Sequence, residues 1–570
     1  MNKMSKYNSK IKLFGTAALL ALCSSCGLLD MDPLNSITKD KMWQSKEDIN
    51  KSLVATYDAL QGCTEQFYTW SEVGGELLYV DLSSGDLSVA YHTMSESGGY
   101  ANWNQVYVAI QRANLTEANV PQAQAIDATF SLQEMEYFTA ECRAFRDLCY
   151  FYLARTFLEF PYIKAALLTD EDQYVYEPSN HVAVLDSIRR DLHEVIPMLR
   201  PNWNMQDFSD MNLKTGYTKG RIIRPVACAI LADVYQTLGA FLTDGAVVAD
   251  VDKEHVENVK KSGLTADSCY RAVITYTDMI MNHPDPQYMF LPSIDNWFTI
   301  FYPGNSYETI FDIQYIRSAT FVDIGWMFSA FRSSQKYKWQ QNNTYHTFKQ
   351  WEGEQRSNPY LDDKRGRGRS YISTGFGSII DEGSTIWKFA AVRYDEQGEN
   401  ESLRMNETSD AINYPVYRMA DIYLMRAEAY CRLDRMPEAA EYLLKVRSRG
   451  IPTPDPALRG NAQTFLDAST YTSMSQKQFE DELLQERAAE LGAEGKRWFD
   501  LVRFAQRQGD LNVIIDRLVE ARSFESERPR WNARLFRPEA LYFPISRSEL
   551  DNNRNLKQNV HYSTDFTAKD

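Results

Sequence analysis

Residues 427–434 read Ala427-Glu428-Ala429-Tyr430-Cys431-Arg432-Leu433-Asp434, and an earlier stretch, Ala232-Asp233-Val234-Tyr235-Gln236-Thr237-Leu238-Gly239, repeats their pattern. Each copy places small Ala and large Tyr on one face of a helix. That alternation suits antiparallel helices that stack on neighbours, because the small side chain admits the ring of the next helix. A second amphipathic helix follows each copy. After residues 427–434 it comes at once, with Pro437 at its start and Ala439-Ala440 next; after residues 232–239 it comes late, at Tyr270-Arg271-Ala272-Val273. A third, weaker pair joins Glu134–Phe157 to Val184–Leu199. Helix pairs that bury a face only by stacking are a tetratricopeptide-like scaffold.

Working outward, a 3.6-residue apolar period predicts helices at Lys46–Gln61, Trp103–Val120, Glu134–Phe157, Arg221–Leu238, Tyr270–Met281, Tyr417–Leu433, Pro437–Arg447, Gln478–Leu491 and Gly495–Arg507. Between Asn282 and about Asn413 the pattern breaks. This stretch is rich in Gly, Asn, Ser and aromatics, with strand-like pieces only at Glu308–Tyr315 and Ile386–Tyr394. A long irregular run of this kind inside a compact protein is usually functional, and its aromatics argue against disorder. A second such run lies between Phe67 and Trp103. The fold class is therefore mainly α, a helix-pair scaffold at about 34–281 and 414–570 with long irregular loops, a few short strands and a variable insertion at about 282–413.

The chain has 570 residues and a net charge of -16. So acidic a body is a poor partner for a phosphate backbone or an anionic membrane face, so nucleic acid is not an expected partner. The first 25 residues hold Lys3, Lys6, Lys10 and Lys12 and no acid, followed by the apolar run Leu13–Leu22. That run is too short to span a bilayer and reads as a secretory signal over residues 1–25. Leu22-Cys23-Ser24-Ser25-Cys26-Gly27 places small residues directly before Cys26, as a lipoprotein signal peptidase requires, whereas bulky Leu22 precedes Cys23. Cys26 is thus the expected lipidated first residue of a body spanning 26–570, and no later apolar stretch reads as a membrane span. The six remaining cysteines are scattered without C-x-x-C spacing and read as buried free thiols.

Several motifs stand in order along the chain: Cys26-Gly27-Leu28-Leu29-Asp30-Met31-Asp32-Pro33; Arg112-Ala113-Asn114; Glu141-Cys142-Arg143-Ala144-Phe145-Arg146 with Phe160-Pro161; and Gly220-Arg221-Ile222. They continue with Tyr414-Pro415-Val416-Tyr417-Arg418-Met419-Ala420-Asp421, Arg426-Ala427-Glu428-Ala429, Glu490 through Arg503, and Phe543-Pro544-Ile545. In this order they resemble the SusD/RagB family of surface glycan-binding lipoproteins. The resemblance implies a lipid-anchored protein on the cell-surface side of a Gram-negative outer membrane. It implies a SusC-like TonB-dependent transporter as partner, to which captured oligosaccharide is delivered. Within these motifs Arg418, Asp421, Arg426 and Glu428 share one predicted helix, and Glu494, Arg497, Asp500 and Arg503 recur every three residues on another. Interleaved charges at that spacing suit an ion-pair network that clamps helices.

No catalytic constellation stands out. None of the seven histidines falls in a metal-ligand spacing, and no nucleophile elbow or phosphate loop has a fitting context. Glu72 and Glu76 near Trp70 are the nearest candidate for a hydrolytic carboxylate pair. Asp81–Asp86 and Asp250–Glu254 are oxygen-rich and would suit a structural calcium, without EF-hand spacing; no other cofactor is expected. Sugar binding needs different parts: flat rings that stack on the C–H faces of a pyranose, with amides and charges for the hydroxyls. The two irregular segments supply Trp70, Tyr79, Asn102 and Trp103 from the first, and Asn296, Trp297, Tyr302, Tyr315, Trp326 and Trp339 from the second. Trp297, Trp326, Trp339 and Trp351 fall within 55 residues of loop-like sequence. The reading is a non-catalytic glycan-binding lipoprotein. Its alternatives are a peptide-binding member of the same transporter complex, a surface glycoside hydrolase, and a pure helical-repeat scaffold.

Overall fold

The computed structural model describes residues 42–167, 175–202, 219–283, 288–291, 293–294, 298–301, 304–315, 336–339, 365, 386–389, 412–450, 466–522 and 525–563. Its principal helices are α1 (Lys46–Tyr68), α2 (Asn104–Ile126), α3 (Leu132–Thr156), α4 (His181–Val195), α5 (Arg224–Leu242) and α6 (Ala266–Met281). After the insertion come α7 (Met419–Arg432), α8 (Met436–Gly450), α9 (Gln476–Leu491), α10 (Arg497–Gln508), α11 (Asn512–Arg522) and α12 (Arg528–Arg534). Helix starts follow local capping chemistry. Ser131 with Glu134 and Ser475 with Gln478 form reciprocal caps that satisfy otherwise orphaned N–H groups.

The three predicted pairs form as antiparallel neighbours in sequence order: α3 with α4, α5 with α6, and α7 with α8. The small-residue logic of the repeat is visible at Gly239, where an added Cβ would meet the Tyr270 ring at 3.0 Å. Tyr430 stacks on Tyr442 across α7 and α8, with ring centroids 5.7 Å apart and planes 15° off parallel. Successive pairs are clamped by charge. Arg426 on α7 donates to Ile274 O, Thr277 Oγ1 and Asp278 Oδ1 on α6. Helix α5 has the length and apolarity of a membrane span, but it is buried along its length as the central helix of the bundle.

Among the described residues, three two-stranded antiparallel sheets sit around this frame: β1 (Leu78–Val80) with β5 (Tyr337–Trp339), β2 (Glu159–Pro161) with β3 (Pro178–Asn180), and β4 (Thr309–Ile313) with β6 (Tyr414–Arg418). The expected strand at Glu308–Tyr315 is present as β4. The stretch from Ile386 differs: Ile386 makes a single bridge and Trp387–Phe389 turns as a 3₁₀ helix, the remainder to Tyr394 lying outside the described residues. The helix expected from Tyr417 begins at Met419 instead. Arg418 stays extended (φ -143°, ψ 164°) as the last strand residue, paired opposite Thr309.

The predicted ion-pair network exists, and its members are buried. Asp421 takes Arg487 at 3.0 Å and Lys496 at 2.9 Å; Glu428 takes Arg503 and Arg507; Asp500 takes Arg487 and Arg503. Glu494 does not continue the helical face of α10. It lies in the turn before that helix, where Ala493 (φ 67°) and Gly495 (φ 70°) reverse the backbone and aim its carboxylate at Arg418. All six cysteines among the described residues are buried and free.

Candidate functional site

The first irregular segment begins where α1 passes into a π-helical turn, Thr69–Val73, and continues into β1. The insertion returns to it as β5, with Tyr79 opposite Lys338 and Leu78 opposite Trp339. Lys336-Tyr337-Lys338-Trp339 alternates with period two, so the aromatics face inward and the lysines outward. Tyr337 is buried and donates its hydroxyl to Asp86 at 2.5 Å. Lys336 is held by Asp86 at 2.7 Å and by Glu65 of α1 at 2.5 Å.

One helical turn earlier on α1, Gln61 donates to the Gln314 carbonyl at 2.6 Å, and its own carbonyl accepts the Tyr315 hydroxyl at 3.4 Å. Gln61 and Glu65 are i, i+4 neighbours and share a helix face. A half-exposed strip therefore runs from Tyr315 over Gln61 and Glu65 to Lys336, Lys338 and Tyr79, where the Lys338 ammonium stands 5.9 Å from the Tyr79 ring centroid. It combines two aromatic faces with amide, carboxylate and ammonium groups. Behind it, Gln314 donates to Asn305 at 2.5 Å, and Asn413 accepts the Tyr315 backbone N–H at 3.1 Å. Asp312 lies fully buried beneath these amides; burial pushes its carboxyl up to about 7, against the Asn305 N–H that favours the anion.

The predicted site residues separate into three groups. Tyr79 and Tyr315 lie along the strip, and half-exposed Asn102 is committed locally, accepting the Asn104 N–H at 2.7 Å at the start of α2. Trp70, Trp103 and Trp339 are corrected: all three are buried and present no stacking face to solvent. Trp70 donates its indole N–H to the Tyr100 carbonyl at 2.7 Å and meets Phe157 edge-on at 5.3 Å. Trp103 meets the same Phe157 ring at 4.9 Å, and Trp339 packs so closely on Gly492 that a Cβ there would stand 2.8 Å from the indole. Each fills a seam between an irregular segment and the helices, which is where a large ring removes most apolar surface from water. Asn296, Trp297, Tyr302 and Trp326 lie outside the described residues, as does Cys26.

Glu72 and Glu76 are structural anchors. The Glu72 carboxylate accepts the backbone N–H groups of Ala493, Lys496 and Arg497 at the start of α10, at 2.7, 2.9 and 3.1 Å. Glu76 grips the Arg497 guanidinium, and both acids are no more than 1% exposed. Of the oxygen-rich runs, Asp81 caps its own turn through Ser83, Asp86 is taken by Lys336, and Asp250 is taken by Lys253. Gln61, Glu65, Lys336 and Lys338 were missed from sequence. The period-two alternation of lysine and aromatics at 336–339 was the available signal for the last two; nothing local marks the helical pair.

Likenesses to known proteins extend along most of the chain. A model of the SusD family matches residues 331–562. SusD-like protein P38 of Formosa agariphila is 24% identical over 573 residues, covering 98% of this chain and 100% of its own. The crystal structure of a SusD homolog from Bacteroides thetaiotaomicron superposes with a TM-score of 0.63 at 19% identity, over 91% of this chain and 99% of that one. Surface glycan-binding protein A from Bacteroides uniformis superposes with a TM-score of 0.60 at 18% identity, over 91% and 100% of the two chains.

Proposed function

We propose that this chain is a member of the SusD/RagB family and a non-catalytic glycan-binding protein of the cell surface, a reading supported by the SusD family match over residues 331–562 and by its SusD-like relatives. The observation that carries the reading is the strip from Tyr315 to Tyr79. There, two half-exposed rings flank Gln61 and Glu65 on α1 and Lys336 and Lys338 at strand β5. Rings offer their negative faces to sugar C–H groups, and the polar side chains between them match hydroxyls, so an oligosaccharide is held without being altered. The fold shared with a surface glycan-binding protein supports the same ligand class. The carboxylates nearest to a hydrolytic pair, Glu72 and Glu76, are tied to α10, which supports binding over hydrolysis.

In this reading Cys26 carries the lipid anchor and the body stands on the outer membrane. A SusC-like TonB-dependent transporter receives the glycan, and stacking with hydrogen bonds needs no cofactor. Trp297 and Trp326 of the insertion are proposed as further stacking residues on the ground of the sequence alone. The test is calorimetric titration of the mature protein against a panel of purified polysaccharides. Binding to one class, abolished by Tyr315→Ala, Trp297→Ala or Trp326→Ala without a change in Tm, is the expected result. No heat from any glycan, or copurification of bound peptide in its place, overturns the reading.

A further inference from the structure

In a chain of net charge -16, one face collects two arginines that form no ion pair with any carboxylate among the described residues. Tyr91, at the end of the first irregular segment, lies nearly parallel to Trp531 of α12, with ring centroids 6.2 Å apart and planes 18° off parallel. Each ring of this stack carries one guanidinium: Arg522 at the end of α11 lies 5.9 Å from the Tyr91 centroid, and Arg534 at the end of α12 lies 5.3 Å from the Trp531 centroid. Arg522 gives one N–H to the Gly75 carbonyl at 2.5 Å, and its Nε is buried without an acceptor. Arg534 is half-buried and makes no hydrogen bond or ion pair among the described residues.

The acids that could neutralise them are engaged elsewhere. Glu76 is taken by Arg497, Glu527 stands 3.7 Å from Arg530, and Glu525 and Asp516 hold Arg528. Burial pushes the Arg522 guanidinium down to about 10, and the nearby Tyr91 and Glu76 restore only part of the loss. For Arg534, burial and then the neighbouring charge of Arg530 lower the guanidinium, and Glu527 and Tyr91 oppose them more weakly. The hydroxyl of half-exposed Tyr91, within electrostatic reach of both arginines, has no hydrogen-bond partner among the described residues. Elsewhere in this molecule buried arginines are matched by carboxylates, as Arg418, Arg447, Arg503 and Arg507 show. Here two guanidiniums stand beside an aromatic stack without a carboxylate ion pair among the described residues.

We propose that Arg522 and Arg534, with Tyr91 and Trp531 between them, receive an oxyanion carried on a sugar ring, the carboxylate of a uronic acid or a sulfate ester. Guanidinium forks match planar and tetrahedral oxyanions, and the Tyr91 hydroxyl adds a donor at the same place. The acidic body does not prevent this, because charges more than about 8 Å away are screened at physiological ionic strength. The proposal rests on the glycan-binding reading and narrows it to anionic glycans.

The experiment is titration of the mature protein with an oligogalacturonate, a sulfated galactan oligosaccharide and a neutral glucan oligosaccharide. One anionic probe is expected to bind, and which one binds separates uronate from sulfate. Arg534→Gln should weaken that binding roughly tenfold, the loss of one charge-assisted contact. Arg534→Lys should recover only part of it, and Arg530→Gln, whose charge is met by Glu527, should leave it unmoved. Because Arg534 makes no structural hydrogen bond, Tm should stay constant. Binding of the neutral probe alone, or of an anionic probe with equal affinity by Arg534→Gln and wild type, overturns the oxyanion site while leaving glycan binding intact. Failure of all three probes, together with the broad panel above, removes both.

Discussion

Arg418 on β6 and Glu494 in the turn before α10 meet as a two-pronged ion pair, Nε to Oε2 at 2.7 Å and Nη2 to Oε1 at 2.8 Å, with neither side chain more than 2% exposed. The same guanidinium reaches Glu308 and Glu490 at 2.8 Å each. One planar cation thus joins strand β4's flank, helix α9 and the α10 turn, three pieces far apart in sequence. Buried pairs of this kind add little over a well-packed apolar core, but removing one partner strands the other's charge out of water. Arg418→Met is therefore expected to cost about 3–5 kcal/mol in urea unfolding. Arg418→Lys should not rescue it, since a point charge cannot bridge three carboxylates. An unchanged urea midpoint for the Met variant would show that the cluster relaxes or admits water.

How much of this was legible follows from what each residue must do locally. Ala427 and Tyr430 announce a stacking helix because their roles are set by neighbours three and four positions away, and helix pairing came out as read. Charged residues spaced along Arg418–Glu428 and Glu494–Arg503 announced a network for the same reason. Trp70, Trp103 and Trp339 were misread as exposed because loop-like flanking sequence does not say which side of a segment meets the frame. That is decided by contacts with Phe157 and Gly492, distant in sequence. Arg522 and Arg534 gave no signal at all: an arginine without a partner looks, in sequence, like one with a partner.

Stability should fall on both sides of mildly acidic pH. Toward acid, burial would raise Glu428, but Arg503 and Arg507 hold it at about 2, and Arg449, Arg418 and Arg365 likewise hold buried Glu490 well below the ordinary carboxylate range. These groups contribute stability above their unfolded pKa of about 4.3 and lose it as pH drops toward their folded values. Toward base the sign reverses. Burial raises Asp312 and Glu72 to about 7, so their contribution is complete below the unfolded value and is lost as pH rises through 7. Asp312→Asn should therefore flatten the loss between pH 5 and 8 in urea midpoints, while leaving the acid limb in place. A variant that tracks wild type across that interval would contradict the assignment.

The strip and the core make opposite predictions for aromatic substitutions. Trp70→Ala removes a fully buried indole and its hydrogen bond to Tyr100, so about 3–5 kcal/mol of stability should go, whatever ligand is present. Tyr79→Ala and Tyr315→Ala remove half-exposed rings, so Tm should move little while glycan affinity falls. Thermal unfolding and titration on the same three preparations check this. Equal stability losses for all three would place Tyr79 and Tyr315 with the core.

The insertion is fastened by two cations that enter the frame's acidic helix. Arg365 donates to Glu486 at 2.6 Å and Glu490 at 3.0 Å; Lys388 donates to Glu494 at 2.6 Å and to the carbonyls of Glu490 and Gly492 at 2.7 and 2.9 Å. Glu486 and Glu490 are one turn apart on α9, and Glu494 follows in the next turn, so these carboxylates form a ladder. Arg418, Arg447 and Arg449 reach it from the frame, and Arg365 and Lys388 reach it from the insertion. Without the two insertion cations the ladder keeps excess negative charge in a site that water does not reach. Lys388→Met, close in shape but uncharged, should then lower the urea midpoint, by a loss of about 3–5 kcal/mol. It should also speed proteolytic cleavage within 282–413 ahead of the helical frame. The double variant with Arg365→Met should depart from the sum of the single losses, because both cations serve adjacent carboxylates of one cluster. Strict additivity, or a cleavage rate unchanged in Lys388→Met, would mean that the insertion is held by its apolar contacts and that these cations only fill space.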